Sequence, residues 1–279
     1  VKIILAGSAG FCFGVKRAAK LALDSSEKFH QICSLGPLIH SPQLVKKLEE
    51  KGVKVVERVE DLPEGAVIVR SHGLTAEEFA RLSERDLTIV DATCPFVKKA
   101  QDYASQLSSQ GYAVILVGEA EHPEVQGIVS YVAGSEVYVV ADHEQAEKLP
   151  SRSKLGVIAQ TTQSFKNLEQ IVAVCLRKGK EVRVFNTICD ATTVRQTEAR
   201  DIARKVDLML IIGGFNSANT SRLAKICQDI QPHSFHIETA DQIHPEWFAD
   251  VDSVGITAGA STPRWIIDQV LDRVQEMTK

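Results

Sequence analysis

A chain of 279 residues, 44% of them hydrophobic, is long enough for two or three small domains with real cores. Its formal net charge of −4 at pH 7 leaves no broad basic field, so nucleic acid is not an expected partner. No apolar run approaches the roughly 18 residues of a membrane span, and nothing ahead of VKIIL reads as a signal or transit peptide. A soluble, cytoplasmic protein is therefore expected, in a reducing compartment where the six cysteines serve as ligands or small buried side chains rather than disulfides.

In chain order, VKIIL reads as a strand, and its loop closes on Cys12. FGVKRAAKLAL then has helical period. FHQICSLGPLIH is a strand candidate ending at His40, followed by helical SPQLVKKLEEKG, the short strand VKVVE and the polar link RVEDLPEG. AVIVRSHGLTAEEFARL is a β-branched strand, a small polar loop at 70–73 and an amphipathic helix. The same order then starts again. DLTIVDATC closes on Cys94, PFVKKAQDYASQL is helical, and YAVILVGEAEH leads to His122. PEVQGIVSYVAG, EVYVVA and DHEQAEKLP follow, then KLGVIAQTTQSFKNLEQI with its loop at 160–162. A third pass runs from EVRVFNTIC, closing on Cys189, through DATTVRQTEARDIARK, DLMLIIGGFNSAN, TSRLAKICQDI, SFHIET and ADQIHPEWF. It ends in VDSVGITAGASTPRWIIDQV, with its loop at 259–261.

Short apolar runs alternating with longer helical periods predict parallel α/β units. A period of about 90 residues is too long for a solenoid and points to triplication around one axis. The fold expected is three similar α/β lobes with small, parallel-rich sheets around a central pseudo-threefold cavity. Their bounds are 14–94, 95–189 and 190–279, the last joined by the N-terminal strand 1–13. Counting 28 residues on from Cys12, Cys94 and Cys189 lands on His40, His122 and Ser217. Ligands of open α/β sheets bind outside the carboxyl ends of strands. The loop at each cysteine, the loop 28 residues later and the last-strand loop are thus all candidates to face the cavity.

Three thiolates from three equivalent loops leave a four-coordinate centre one open position, as catalytic sites do. A structural zinc site shows paired, closely spaced ligands and four protein donors, and neither is present here, so an iron–sulfur cluster fits better than zinc, with zinc kept as the alternative. Such a cluster would leave one iron open to act as a Lewis acid. Cys33, Cys175 and Cys227 lie in apolar patterns and are expected in cores. His40, His72, His122, Ser217, Asn219 and Ser261 are nearly all donors, and with helix N-termini behind them they suit an anionic group. The remaining histidines, His30 and His143 among them, are read as structural. No P-loop run exists, and IIGGFN lacks the GxGxxG spacing, so neither nucleotide hydrolysis nor a nicotinamide is indicated. Glu124 is a carboxylate two residues beyond His122, among donors, and a buried carboxyl can hold and deliver a proton. Thr161 is placed to orient a hydroxyl or pass a proton. From the residues alone the reading is an iron–sulfur enzyme acting on an anionic substrate. An iron–sulfur dehydratase and a redox-sensitive anion sensor remain as rivals.

GFCFGVKRA at 10–18, DATCPFV at 91–97 and NTICDAT at 186–192 resemble the 4-hydroxy-3-methylbut-2-enyl diphosphate reductase (IspH/LytB) family. The resemblance continues through GPLIHSP, VRSHG, GEAEHPEV, AQTT and GASTP, covering essentially the whole chain. It implies a three-lobed α/β fold and one [4Fe–4S] cluster held by Cys12, Cys94 and Cys189, with an open fourth iron. It implies an allylic diphosphate substrate held by His40, His72, His122, Ser217, Ala218, Asn219 and Ser261. Glu124 would supply a proton, with Thr161 at the substrate hydroxyl. The activity implied is the last step of the non-mevalonate (MEP/DOXP) route to isopentenyl and dimethylallyl diphosphate. The family's N-S-S-N loop here reads N-S-A-N at 216–219, so Ala218 has only its backbone N–H to offer, at a cost on the order of 1 kcal/mol. With no flavin or nicotinamide fingerprint, electrons are expected from an external one-electron donor of ferredoxin or flavodoxin type. The chain is expected to act as a monomer.

Overall fold

A computed structural model describes residues 1–278 of the chain. It begins with β1 (Lys2–Leu5) and α1 (Phe13–Lys28). Next come β2 (Ile32–Leu35), α2 (Pro42–Glu49), β3 (Val53–Val56), β4 (Gly65–Val69), α3 (Ala76–Ser83) and β5 (Leu87–Asp91). The second series is α4 (Pro95–Ser109), β6 (Ala113–Val117), α5 (Pro123–Ser130), β7 (Val137–Val140), α6 (His143–Glu147), β8 (Arg152–Ala159), α7 (Phe165–Lys178) and β9 (Gly179–Val184). The third is α8 (Asp190–Ala203), β10 (Leu208–Ile212), α9 (Ala218–Gln228), β11 (Ser234–Ile237), β12 (Ser253–Ala258) and α10 (Arg264–Met277).

The strands form three four-stranded sheets, ordered β3-β2-β4-β5, β7-β6-β8-β9 and β11-β10-β12-β1. Every pairing is parallel, which gives the α/β class expected from the sequence. The three orders are one topology repeated, with β1 supplying to the last sheet the strand that β5 and β9 supply to the others. Inner strands of a parallel sheet are covered on both faces and so read as unbroken apolar runs. AVILV in β6 and LMLII in β10 are buried at every residue.

By compactness the chain divides into two units. One comprises Val1–Lys16, Ile39–Lys47 and Asp190 onward; the other comprises Arg17–Leu38 and Leu48–Cys189. The first holds the β1-containing sheet, cored by Leu208, Leu210, Ile212 and Ile256 against Ile267 and Val270 of α10. Met209 and Ile211 point to the other face, against Ala199 and Ile202 of α8. Gly255 of β12 lies against that face, where a Cβ would run into Met209 and Ile202. Gly255→Ala is therefore expected to destabilise by about 1–3 kcal/mol through overpacking, read as a lower denaturant midpoint at unchanged m.

The second unit holds the other two sheets. Ala100, Ala104 and Leu107 of α4 pack on Val114 and Leu116 of β6 and Ile158 of β8. Leu74 and Leu82 pack with Val67 and Val69 beneath the β2-containing sheet. Gln101 of α4 reaches the carbonyl of Leu74 in the loop after β4, at 3.4 Å. Ala76 N–H donates to Ser130 of α5 at 2.9 Å, which ties the two sheets' helices together. Among the described residues no helix is long and apolar enough to cross a membrane.

Candidate functional site

Each sheet changes direction at the same place. After β2 the chain goes to one side of the sheet, and after its neighbour β4 it goes to the other; β6/β8 and β10/β12 repeat this. The carboxyl ends of such a strand pair are where open α/β sheets bind ligands, because the diverging loops open a crevice backed by helix N-termini. The candidate residues sit in those loops: His40 after β2, His72 after β4, His122 after β6, Thr161 after β8, Ser217 after β10 and Ser261 after β12. Glu124 lies in the first turn of α5, and Ala218 and Asn219 open α9.

The cysteines share a second local arrangement. Cys12, Cys94 and Cys189 each directly precede a helix, α1, α4 and α8. Each backbone N–H donates to a carbonyl in the loop after the neighbouring strand: Cys12 to Ala260 (3.0 Å), Cys94 to Ser71 (3.0 Å) and Cys189 to Thr161 (3.1 Å). All three are partly exposed, whereas Cys33, Cys175 and Cys227 are buried in cores as expected. Burial pushes the Cys175 thiol up to about 11 and the Cys227 thiol up to about 12, and it raises Cys33 as well. The buried set thus stays protonated and inert. The partly exposed set stands at helix N-termini, and the amide of Val15 in α1 lies 3.5 Å from Cys12 Sγ.

In the second unit the loops after β4, β6 and β8 bring several candidate residues together. His122 is the N-cap of α5, and its Nδ1 accepts the Glu124 N–H at 3.1 Å. That bond leaves the proton of the neutral ring on Nε2, so His122 presents a donor. Glu124, 2% exposed, is held at both oxygens: Oε1 accepts the Thr161 N–H at 2.6 Å and Oε2 accepts the Thr161 hydroxyl at 2.9 Å. The His72 and His122 rings meet edge to face, with centroids 5.7 Å apart. His72, His122, Glu124 and Thr161 are therefore brought together, as one candidate set.

In the first unit the donors belong to α9 and the loop after β12. Ser217 caps α9, accepting the Thr220 N–H at 3.4 Å, and Ser261 Oγ donates to the His40 carbonyl at 3.0 Å. Asn219 is buried, and neither its Nδ2 nor its Oδ1 has a hydrogen-bond partner among the described residues. Buried amides are rarely left so, and a bound group usually satisfies them. Ala218 has no side-chain donor, and its N–H lies in the first turn of α9.

Two details differ from the sequence reading. The N-cap of α2 that corresponds to His122 and Ser217 is Ser41, whose Oγ accepts from Leu44 N–H at 3.4 Å; His40 lies one residue ahead of it. The spacing of 28 therefore matches elements, not atoms. On the same register, Glu124 and Asn219 each follow their cap by two residues. The cysteine amide bonds align Thr161 with Ser71 and Ala260, so the residue placed like His72 and Ser261 is Thr162, which the sequence reading left out. Gln160 was also missed: it is fully buried, its Oε1 accepts from Glu119 N–H at 3.2 Å, and its Nε2 has no protein partner. Among the described residues, no group of three His, Cys, Asp or Glu side chains is placed to hold a metal ion.

Comparison with known proteins agrees over the full length. Residues 3–275 match the family model described as LytB protein. The chain is 69% identical over 279 residues to the 4-hydroxy-3-methylbut-2-enyl diphosphate reductase of Syntrophotalea carbinolica, covering 100% of both. It is 56% identical to the protein of that name from Pelobacter propionicus, covering 100% of this chain and 99% of the other. A solved structure of (E)-4-hydroxy-3-methyl-but-2-enyl diphosphate reductase, described as the terminal enzyme of the non-mevalonate pathway, superposes with a TM-score of 0.73 at 45% identity over 99% of both chains. The Plasmodium falciparum E-1-hydroxy-2-methyl-but-2-enyl-4-diphosphate reductase superposes with a TM-score of 0.92 at 27% identity, over 100% of this chain and 88% of the other. The repeated sheets, the loops at their switch points and these relatives place the chain in the LytB protein family.

Proposed function

We propose that the chain reductively dehydroxylates 4-hydroxy-3-methylbut-2-enyl diphosphate to isopentenyl and dimethylallyl diphosphate, the last step of the non-mevalonate route. The observation that carries this is Glu124: a buried carboxyl gripped at both oxygens by Thr161, two residues from the donor ring of His122. A sensor has no use for a buried proton donor so arranged.

Cys12, Cys94 and Cys189 would hold a [4Fe–4S] cluster. The donor set supports this: three partly exposed thiols at helix N-termini, distinct from three inert buried ones. A cluster brings its own sulfides, so its thiolates bind separate irons and need not converge on one ion. When bound, that group relays single electrons and offers an open iron as Lewis acid.

Loss of the substrate hydroxyl as water, with formation of a hydrocarbon end, consumes two electrons and two protons. In its protonated form Glu124 can deliver a proton, beside the Thr161 hydroxyl, to the leaving oxygen, while Thr161 orients that oxygen. His40, His72, His122, Ser217, Asn219 and Ser261 supply donors for the diphosphate, and Ala218 supplies its backbone N–H. Proton delivery to either end of the reduced allylic fragment accounts for two products. Electrons come from a ferredoxin- or flavodoxin-type donor, and the chain acts as a cytoplasmic monomer.

Asn219→Ala is expected to raise KM about tenfold with a smaller change in kcat, since it removes one hydrogen bond to a charged group. Steady-state kinetics across substrate concentration checks this. The function itself is tested by anaerobic turnover of cluster-reconstituted protein with the hydroxylated diphosphate and a strong one-electron reductant, products being read by mass spectrometry. Five-carbon diphosphates lacking the hydroxyl support the reading. Absence of product from protein carrying an intact cluster overturns it, and turnover without reductant would indicate a dehydratase.

A further inference from the structure

In each repeat the helix that starts at one cysteine reaches the loop that carries another. Arg17 of α1, five residues after Cys12, donates to the carbonyls of Thr93 (3.1 Å) and Asp91 (3.2 Å) on the approach to Cys94. Tyr103 of α4, nine residues after Cys94, stacks flat on Phe185, with centroids 4.0 Å apart and planes 5° apart, four residues before Cys189. Arg195 of α8, six residues after Cys189, is buried and donates to the carbonyl of Gly10, at 2.5 Å, two residues before Cys12. One turn further on, Glu198 accepts the N–H groups of Gly7 (2.7 Å) and Ser8 (2.9 Å) and the Ser8 hydroxyl.

The charged contacts among these are not generic helix packing. The position six residues after Cys12 and Cys94 holds Ala18 and Ala100, both fully buried, so a methyl group satisfies the fold there. A buried guanidinium in the third repeat costs desolvation and persists only where its hydrogen bonds repay that cost. Burial opposes ionisation of Glu198, yet the hydrogen bonds from Ser8 and Gly7 and the charge of Arg195 hold its carboxyl below the ordinary value. Arg195 Nη2 and both Glu198 oxygens thus meet one stretch of chain, the loop from β1 to Cys12, while Arg195 Nη1 donates to the Ala191 carbonyl of its own helix at 3.1 Å.

We propose that Arg17, the Tyr103–Phe185 stack and the Arg195–Glu198 pair are positioning residues, each fixing the loop of one cysteine: Cys94, Cys189 and Cys12 in that order. The purpose assigned to them, presenting three ligands, rests on the cluster reading above. The assignment makes the three braces separable, because each acts on one loop through contacts the others do not share.

The test uses full-length, metal-free protein alkylated with iodoacetamide under native conditions, with the rate at each cysteine read by peptide mass spectrometry. Arg17→Met should speed alkylation of Cys94 about tenfold, Tyr103→Leu that of Cys189 and Arg195→Met that of Cys12, as each loop opens more often. The other two cysteines serve as internal controls and should stay within about twofold of wild type. Because Tyr103 and Phe185 both pack against one core, Tyr103→Phe, which keeps the stacked ring, must leave the Cys189 rate at the wild-type value, and Arg195→Lys should restore part of the Cys12 effect. Rates that rise together at all three cysteines, or at none, overturn the assignment. Iron content and visible absorption of reconstituted wild-type protein answer the separate question. A chain that takes up no cluster sinks the ligand reading even where the alkylation pattern holds, and normal uptake with uniform alkylation sinks the braces alone.

Discussion

Glu124→Gln is expected to fold, to take up iron like wild type and to lose turnover by about 10²–10⁴-fold. The substitution is nearly isosteric, and the partners of Glu124 tolerate it. The glutamine oxygen can still accept the Thr161 N–H, and its amide can donate to the Thr161 hydroxyl in place of accepting from it. The backbone bond that caps α5 comes from the residue's own N–H to His122 and is untouched. What disappears is the proton that the carboxyl can surrender and regain. The loss should fall on kcat, since neither oxygen is needed to hold the diphosphate. Thr161→Val should retain the carboxyl and lose less, because the Glu124 Oε1 contact to the Thr161 N–H survives. Product formation by mass spectrometry, normalised to iron per chain, separates chemistry from assembly. Turnover near wild type in the glutamine variant would move the proton to another group, with His122 next in line.

The fold was legible because parallel inner strands cannot alternate. VILVG and LMLIIGG carry their burial as unbroken runs, and each is cut by a glycine-bearing loop where the strand gives way to a helix. The cysteines were legible for the same reason, since each closes a strand and opens a helix. The offset at His40 was not, because HSP and EHPE both place a histidine just ahead of a proline-led helix, and only the hydrogen bond to Ser41 Oγ shows which residue is the cap. Thr162 was hidden by a register that depends on the Cys189 amide bond to Thr161. Gln160 looked like an ordinary loop residue until its burial was known. Arg195 and Glu198 were least visible: DATTVRQTEARDIARK reads only as a helix, and their partners lie some 190 residues away at the other end of the chain. Local pattern identifies elements and caps, whereas contacts closed only by the tertiary fold leave no periodic trace.

Cys12→Ser is expected to lose the cluster, with iron per folded chain and visible absorption falling to a small fraction of wild type and turnover falling with them. Serine keeps the size and the loop: the Cys12 N–H bond to Ala260 is a backbone contact, and a hydroxyl can take the place of sulfur near the Val15 amide. The change is one of donor chemistry, from a soft sulfur ligand to a hard oxygen ligand. Cys94→Ser and Cys189→Ser should behave alike, because the three stand in one local arrangement. The buried cysteines give the contrast. Cys227→Ser places a hydroxyl in an apolar core, where burial already pushes the thiol up to about 12, and should lower stability while leaving iron per folded chain unchanged. Iron analysis and absorption on folded material of all four variants therefore divide the cysteines by role. Full iron in Cys12→Ser would remove Cys12 from the ligand set. Iron loss in Cys227→Ser at unchanged stability would mean that the distinction between partly exposed and buried thiols, on which the ligand assignment stands, does not mark the ligands.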